Sequence, residues 1–384
     1  MLSVDGYVVW QRIHETSHSE VYAGARKADG LRVIFKLYRG RMAARAQREF
    51  ELLERIHSDA VVRPVELRAH QDRHILIVER FAGYPLSRYA NGRKLSPSEV
   101  ISIALGITRS LAAVHDARVI HKDLKLGNVL IDPERKQICI IDFGISAEFG
   151  RAERSEPPQS AEGTVRYMAP EQTGRMSYGV DFRTDLYSLG VMLYELLTGQ
   201  PPFWNADTLE LIYAHITTQP RPVVQIDSAV PLTLSRIVVK LLQKDPELRY
   251  QTARGLAVDL EHCQKQLVAT SSIDEDFVLG GEDASDRLRF PNKIYGRDHE
   301  RAEIWAAFDR ISRGGTELVL LAGPAGIGKS SLPSVLHGRL ARTGGYLAQA
   351  KFDRDLRARP YAGFAAAFTT WTNQVLTGRE ERLV

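Results

Sequence analysis

Three short polar motifs, set against apolar runs and taken in order, constrain the fold of this chain more than any other feature. Residues 121–128 (HKDLKLGN) precede a predicted strand at 129–131, and residues 141–144 (IDFG) and 169–171 (APE) follow them. Upstream, the apolar run VIFK ends at Lys36. Any one of these tetrapeptides is weak evidence, because an aspartate before a strand is usually a turn residue. Their order and spacing together are not weak evidence.

The spacing of apolar residues predicts a small strand-rich region followed by a larger helical one. β-Branched or aromatic runs separated by turn residues predict strands at 7–13, 21–26, 32–38, 61–67 and 75–79, with an amphipathic helix at 43–56. From residue 86 onward the spacing is helical, and Ser96, Pro97 and Glu99 form a capping-box start. Residues 184–197 are apolar nearly all round, as in a helix buried in a core.

Composition and charge exclude several classes of protein. Lys+Arg number 51 and Asp+Glu 47, and a net charge of +4 is too small for a nucleic-acid coat or a polybasic membrane anchor. We therefore expect neither nucleic acid nor a membrane as a partner. Two cysteines cannot build a disulfide framework or a cysteine zinc cage. With no secretory signal at the N-terminus and no apolar run near the ~18 residues that span a bilayer, a cytoplasmic location is expected.

In order and spacing, these motifs resemble the signature set of the protein kinase family over about residues 7–265. The resemblance implies an α+β, bilobal protein-kinase-like fold, with an N-lobe at 1–80 and a C-lobe at 81–265. It implies ATP and Mg²⁺ as cofactors. The Lys two residues after Asp123 is the Ser/Thr-type pattern, so the implied partner is a protein substrate with a Ser or Thr acceptor. The expected enzyme is a non-specific serine/threonine protein kinase.

The resemblance assigns roles in phosphoryl transfer. Asp123 would accept the proton of the incoming hydroxyl, and Lys125 would neutralise the γ-phosphate. Asn128 and Asp142 would hold the magnesium ions. Lys36 would hold the α/β-phosphates and pair with a helix glutamate. The remaining catalytic and ATP-binding candidates are Glu49 (with Glu51 as the alternative) for that pairing, Val78 as gatekeeper, Glu79 and Phe81 in the hinge, and Val21 and Leu130 around adenine.

Four further residues match structural positions of the family. Thr164, in the activation segment, would contact the catalytic aspartate. Asp185 would cap the backbone of the catalytic loop. Glu171 and Arg249 resemble the ion pair that ties the activation segment to the last helical region, with a plain surface pair as the alternative.

The chain departs from the family pattern at three places. His14, Thr16 and Ser19 stand where the phosphate-binding loop would have glycines, whose freedom allows close backbone approach. Ile34 replaces the family's small alanine and would crowd adenine. Lys122 replaces an arginine that makes a bidentate pair with a phosphorylated activation loop, and lysine is a poorer bidentate donor. Activity is therefore expected not to depend strongly on phosphorylation of that loop. Two alternatives stay open: a pseudokinase scaffold, and a nucleotide-sensing switch module of a larger signalling protein.

A second nucleotide motif lies near the end of the chain. Residues 323–330 (GPAGIGKS) match G-x-x-x-x-G-K-[ST] after a predicted strand at 318–321. The loop with Gly323, Gly326 and Gly328 would cradle phosphate, while Lys329 would reach the β/γ oxygens and Ser330 would ligate magnesium. Few residues follow, and they contain no aspartate-bearing Walker B strand. We expect residues 294–384 to be the incomplete start of an α/β P-loop NTPase domain, and the chain to be the N-terminal portion of a longer protein.

The stretch between the two regions is acidic. Residues 270–286 contain six acidic residues and no basic one, which predicts an acidic linker at 266–293. Residues 277–300 join the segment 244–250 (KDPELRY) to the P-loop. This arrangement resembles bacterial multidomain signalling proteins, in which an N-terminal Ser/Thr kinase precedes a STAND/AAA-type ATPase, a GAF sensor and often a sensor histidine kinase. That resemblance implies GAF and histidine-kinase modules as downstream partners in the full-length protein.

Overall fold

The computed structural model describes residues 2–15, 19–38, 43–70, 73–149, 165–283 and 296–336, apart from positions 175, 177, 325, 326 and 328, together with scattered positions beyond 336. The chain divides into two compact units. The first contains residues 1–154, 181–202 and 220–286. The second contains residues 155–180, 203–219 and 287–384.

The first unit begins with a five-stranded antiparallel sheet in the order β1-β2-β3-β5-β4. Alternate residues of a strand share a face, so Val33, Phe35 and Leu37 are buried on one side while Ile34 and Lys36 point to the other. The predicted strands are confirmed, with ends shifted by up to three residues. The bounds are β1 Tyr7–Glu15, β2 Ser19–Arg26, β3 Arg32–Tyr38, β4 Pro64–His70 and β5 Arg73–Glu79.

Helix α1, Ala43–Glu54, packs against β4 and β5. Its buried face follows helical spacing through Ala46, Leu52 and Leu53, as the amphipathic pattern predicts. Glu49 lies on the same buried face, with only 3% of the residue exposed. A carboxylate among apolar neighbours requires a partner, and this one lies in the candidate site.

The rest of the first unit is mostly helical. Ser96 caps α3 by accepting a hydrogen bond from Glu99 N at 3.3 Å, as predicted. Helix α4 is buried on nearly every side and packs against α3 and α6. The elements of this unit are β6 Tyr84–Pro85, α2 Leu86–Ala90, α3 Pro97–Asp116, β7 Val119–Ile120, β8 Val129–Asp132, β9 Gln137–Ile140, β10 Ala147–Glu148, α4 Phe182–Thr198, α6 Leu232–Leu241 and α7 Ala253–Thr270. Helix α5, Thr208–Thr217, belongs to the second unit.

Helix α3 is the one described helix that is long and apolar enough to cross a membrane by length and composition alone. Its apolar residues, including Val100, Ile103, Ile107 and Leu111, are buried within the first unit. That burial is what a core helix requires.

The first part of the predicted acidic linker, residues 266–283, belongs to the first unit. Helix α7 continues to Thr270, and the chain then packs back onto α6 and α7 with Ile273 buried. The acidic side chains did not predict this, because most of them are exposed as expected, while the packing is made by Ile273, by backbone carbonyls and by Asp283. Residues 284–293 lie outside the described part of the chain.

The second unit contains residues 165–174 and the helix that packs against them. Two 3₁₀ turns, Val165–Tyr167 and Pro170–Thr173, pack against α5, Thr208–Thr217. Val165, Met168, Phe203 and Leu211 form its buried apolar cluster.

The described P-loop region contains α8, Asp298–Ile311, and a 3₁₀ helix, Lys329–Leu336. The helix predicted to begin at Asp298 is confirmed. The strand predicted at 318–321 is not formed, and Leu318 and Leu320 are 83% and 84% exposed. A strand requires a neighbour to complete its hydrogen-bond ladder, and none of the described residues supplies one here.

Candidate active site

Three charged side chains from separate elements meet at one end of β3. Lys36 Nζ lies 2.9 Å from Glu49 Oε2 on α1 and 2.5 Å from Asp142 Oδ1, which follows β9. Phe143 N donates to Glu49 Oε1 at 3.0 Å. Of the two glutamates considered from sequence, Glu49 occupies this position, whereas Glu51 is exposed and bonds to Gln47 on the helix surface.

The ionisation of this cluster follows from its geometry. Burial alone would lower the pKa of Lys36, but the carboxylates of Asp142 and Glu49 outweigh it and raise that pKa. Burial would likewise raise the pKa of Asp142, but Lys36 dominates and lowers it to about 2. Lys36 is therefore a fixed cation and Asp142 a fixed anion near neutral pH.

A second cluster surrounds the carboxylate of Asp123. Lys125 Nζ lies 2.7 Å from Asp123 Oδ2, and Asn128 Nδ2 donates to the same oxygen at 3.0 Å and to the Asp123 carbonyl oxygen at 2.9 Å. The short 3₁₀ turn Leu126–Asn128 brings Asn128 back over the loop. These donors fix the direction of the Asp123 carboxylate before any substrate binds.

Asp185, at the start of α4, holds the loop that carries Asp123. Its carboxylate accepts hydrogen bonds from His121 N and Lys122 N, both at 2.9 Å, and its Oδ2 lies 3.0 Å from His115 Nε2. Burial would raise the pKa of Asp185, but these hydrogen bonds and the neighbouring histidines lower it. Lys122 has φ 68°, a left-handed conformation that the loop keeps because its amide is held in this way.

Replacing Asp185 by asparagine is expected to destabilise the chain by about 3–5 kcal/mol, the cost of breaking a buried charged network. The amide group is the same size but turns an NH₂ toward an N–H donor. Chemical denaturation measures the change in the free energy of unfolding. Asp116→Asn is the control, because Asp116 pairs with Arg254 at an exposed position. Equal stability of the two variants would contradict the role of Asp185.

Contacts of His121 join the loops that carry the two charged clusters. His121 Nε2 lies 3.1 Å from the Ile141 carbonyl oxygen, and the His121 and Phe143 rings pack at 4.7 Å between centroids. Ser146 Oγ donates to the His121 carbonyl oxygen at 3.0 Å. Asp142 itself has φ 68°. The loop bearing Asp123 and the loop bearing Asp142 therefore form one packed unit.

The predicted adenine-binding residues lie around β3 and β5. Val21 pairs with Lys36, and Val78 pairs with Ile34 across the sheet, which puts Ile34 beside the predicted gatekeeper. Leu130 is half-buried on β8. After Val78, the amides of Glu79 and Arg80 donate to backbone carbonyls at 2.8 and 2.9 Å. A nucleotide base would therefore use the Glu79 carbonyl or the backbone of Phe81.

Several predicted residues are only partly described. Residues 16–18 of the loop without glycines, Thr164, Gly326 and Gly328 lie outside the described residues, as does the side chain of Ser330. Glu171 and Arg249 are both buried, and Arg249 donates to the carbonyl oxygens of Gln243, Arg183 and Lys244. The Glu171–Arg249 ion pair stays a prediction.

In the P-loop, Lys329 Nζ donates to the carbonyl oxygens of Gly323 and Pro324, both at 2.7 Å. The lysine thus lies over its own loop, where a phosphate would displace these contacts. This placement is compatible with nucleotide binding at the loop.

Two polar residues of the site were missed from the sequence. The Tyr38 hydroxyl donates to Glu49, and Lys36 Nζ lies 5.1 Å from the Tyr38 ring centroid. Strand alternation would have found Tyr38, because it is two residues after Lys36 and shares its face. His115, which contacts Asp185, had no comparable signal, since it lies on a helix otherwise defined by apolar spacing.

The side chains of Asn128 and Asp142 fit a magnesium ion. Asp142 uses Oδ1 to contact Lys36, while 41% of its side chain remains exposed. The side-chain nitrogen of Asn128 donates to Asp123, so its side-chain oxygen Oδ1 is the atom that could ligate the metal. Carboxylate and amide oxygens are ligands that Mg²⁺ takes in proteins.

Comparison with known proteins adds family matches over most of the chain. Residues 7–260 match the protein kinase domain and residues 293–384 the AAA ATPase domain. Hybrid signal transduction histidine kinase G of Dictyostelium discoideum is 36% identical over 233 residues, 56% of this chain and 7% of that protein. A probable serine/threonine-protein kinase of Streptomyces coelicolor is 32% identical over 257 residues, 64% of this chain and 38% of that protein. Serine/threonine-protein kinase pkn2 of Myxococcus xanthus is 33% identical over 266 residues, 65% of this chain and 31% of that protein. The chain spans less than two fifths of the length of each of these relatives.

Proposed function

The chain belongs to the protein kinase family, and we propose that it transfers the γ-phosphoryl group of ATP to Ser or Thr hydroxyls of a protein substrate. The observation that carries this proposal is the joining of two charged clusters, Lys36–Glu49–Asp142 and Asp123–Lys125–Asn128. One cluster suits the phosphates of a nucleotide and the other suits an incoming hydroxyl. Phosphoryl transfer requires mainly such positioning and charge neutralisation.

In the proposed reaction, the acceptor hydroxyl donates its proton to the carboxylate of Asp123. The hydroxyl oxygen forms a bond to the γ-phosphorus as the bond to the β–γ bridging oxygen breaks, and ADP leaves. Lys125 neutralises the γ-phosphate, and Lys36, held by Glu49, contacts the α/β-phosphates. Asn128 and Asp142 would hold magnesium, which would supply positive charge against the phosphate oxygens.

The context of this activity is a larger signalling protein. The kinase domain is followed by an AAA ATPase domain, and the P-loop residues Gly323, Gly326, Gly328, Lys329 and Ser330 are proposed to bind a second nucleotide. We propose that GAF and histidine-kinase modules belong to the same full-length protein, and that it acts in bacterial signal transduction in the cytoplasm. The matches to bacterial serine/threonine kinases support the bacterial signalling role, and the match to hybrid signal transduction histidine kinase G supports the histidine-kinase module.

The test is transfer of labelled γ-phosphate from Mg-ATP to peptides that carry Ser, Thr or Tyr as the one acceptor. We expect label on Ser and Thr and none on Tyr. The Lys329→Ala variant is assayed in parallel, because it removes nucleotide turnover by the P-loop from the measurement. Release of free phosphate alone, or label confined to Tyr, would contradict the proposal.

A second candidate is a nucleotide-binding pseudokinase that acts as a scaffold or switch. It is favoured by the loop without glycines and by Ile34, whose side chain lies beside Val78 where adenine would bind. This candidate predicts saturable binding of ATP, with or without magnesium, and no phosphoryl transfer to any peptide. A kinase predicts saturable ATP binding together with phosphoryl transfer to a peptide.

Ile34 provides a graded test of nucleotide binding in this pocket. Replacing Ile34 by alanine makes room for adenine, and apolar pocket contacts of this size are worth about 1–3 kcal/mol. We expect the KM for ATP to fall about five- to tenfold, at the lower end of that range, while kcat stays within about twofold. Ile34→Val is the intermediate control. A higher KM for the alanine variant would show that Ile34 binds adenine favourably.

A further inference from the structure

Residues 273–283, which we name the C-terminal strap, lie across two helices of the first unit. The strap begins at the buried Ile273 and ends at Asp283. Its contacts come from both helices and involve both backbone and side chains. They are Thr233 Oγ1 to the Asp274 carbonyl at 2.5 Å, Arg236 Nη1 to the Glu275 carbonyl at 2.6 Å, Gly280 N to Asp259 Oδ2 at 2.7 Å, and the His262 ring stacked on Phe277 at 4.1 Å.

Asp283 closes the strap at the start of α7. Its carboxylate accepts hydrogen bonds from Gln251 N at 2.6 Å, Thr252 N at 2.9 Å and Thr252 Oγ1 at 2.8 Å. Thr252 is itself the N-cap of α7, and its Oγ1 accepts from Gly255 N at 2.9 Å. A carboxylate at a helix N-terminus is also favoured by the helix dipole.

The loop that Asp283 holds is bonded to the start of α4. Gln251 Oε1 accepts from Arg183 Nη1 at 3.0 Å, and Arg249 Nη1 donates to the Arg183 carbonyl at 3.1 Å. The same guanidinium of Arg183 pairs with Glu247 at 2.9 Å and with Asp181, the N-cap of α4, at 2.8 Å. Arg183 is 4% exposed, so its position is strongly determined by these partners.

Two residues after Arg183 lies Asp185, which holds the amides of His121 and Lys122. Hydrogen bonds therefore link Asp283 to Gln251 and Gln251 to Arg183, the backbone of α4 links Arg183 to Asp185, and hydrogen bonds link Asp185 to the loop that carries Asp123. Contiguous networks of this kind carry energetic coupling between distant sites. Asp283 lies beyond residue 260, where the match to the kinase domain ends.

We propose that Asp283 is a positioning residue for phosphoryl transfer, acting through Gln251 and Arg183 on the catalytic loop. The segment that leads from the kinase domain to the ATPase domain thereby sets the rate of the kinase. This inference rests on the proposed kinase activity. Its physical basis, the hold of the strap on the catalytic loop, is measurable without that activity.

The test compares Asp283→Ala and Asp283→Asn with the adjacent exposed carboxylate variant Glu282→Gln, all in the 384-residue chain. We expect kcat to fall about three- to tenfold in the Asp283 variants, at a temperature far below unfolding, with the KM for ATP unchanged. Hydrogen exchange at the amides of His121 and Lys122 is expected to quicken by a similar factor. Glu282→Gln is expected to match the wild type in both measurements.

Gly255→Ala displaces the strap without removing Asp283. A Cβ at Gly255 would lie 2.3 Å from Asp283 Oδ1, so the carboxylate must move away. Alanine is a better helix residue than glycine, so if the strap has no influence on the catalytic loop, kcat stays unchanged when Gly255→Ala displaces Asp283. The proposal predicts the same loss of kcat as Asp283→Ala, and no further loss when Gln251→Ala is added to Asp283→Ala.

The outcomes separate the two proposals. A fall in melting temperature with unchanged kcat and unchanged exchange at His121 and Lys122 would overturn the positioning role of Asp283. An equal effect of Glu282→Gln would overturn it too. If the wild type transfers no phosphate, the kinase proposal fails, and the hydrogen-exchange comparison still decides whether the strap holds the catalytic loop.

Discussion

Replacing Asp123 by asparagine is expected to lower kcat for phosphoryl transfer by about 10²–10⁴-fold, the range for loss of a general base. Asparagine has the same shape but cannot take the proton of the acceptor hydroxyl. Its NH₂ would also face Lys125 Nζ or Asn128 Nδ2, which now donate to Asp123 Oδ2. Steady-state transfer to a Ser peptide measures the loss. The Kd for Mg-ATP is expected to change less than kcat, because Lys36 and Asp142 are held by each other and not by Asp123.

Two controls keep this result specific. Asp116→Asn makes the same chemical change at an exposed carboxylate on α3 and should leave kcat unchanged. Asp123→Glu keeps the charge but moves the carboxylate, and it should lose most of the rate. A kcat for Asp123→Asn within a factor of about two of wild type would contradict the assignment of Asp123 as the general base. The site would then be better explained as a nucleotide-binding switch.

The sequence predicted the fold well where local patterns and tertiary contacts agree. Strands β1 to β5 and helices α1, α3 and α4 were visible as alternating or helical apolar spacing, and Ser96 identified the start of α3. The site residues came from the motifs, which recur because phosphoryl transfer requires those side chains. The choice between Glu49 and Glu51 required the helix register against β3, which depends on packing and not on local pattern.

The strap and residues 318–321 show why some parts of the fold could not be predicted from the sequence. The acidic residues at 274–283 predicted solvent exposure, but Asp283 accepts hydrogen bonds at the N-terminus of α7 and Ile273 is buried. Both are long-range contacts without a local signal. For residues 318–321 the local pattern favoured a strand, yet a strand forms only when a neighbour completes its ladder.

Replacing Lys36 by methionine is expected to lower kcat by about 10²–10³-fold, as does removal of one preorganised electrostatic group in other enzymes. Methionine fills the space of lysine but has no charge. Glu49 and Asp142 would then face each other without the cation that lies 2.9 and 2.5 Å from them. The pKa of Asp142, now about 2, would rise as a result. Phosphoryl transfer and Mg-ATP binding are measured together, and binding is expected to weaken far less than the rate.

Two neighbouring glutamates of α1 give this prediction its matched control. Glu49→Gln removes the carboxylate that holds Lys36 Nζ and accepts from Phe143 N, so we expect kcat to fall about tenfold or more. Glu51→Gln makes the same change two residues later on the exposed face and should leave kcat unchanged. Equal effects of the two variants would mean that α1 acts through overall charge. A defect confined to Glu49 would show that Lys36 is effective only when the helix carboxylate holds it against the phosphates.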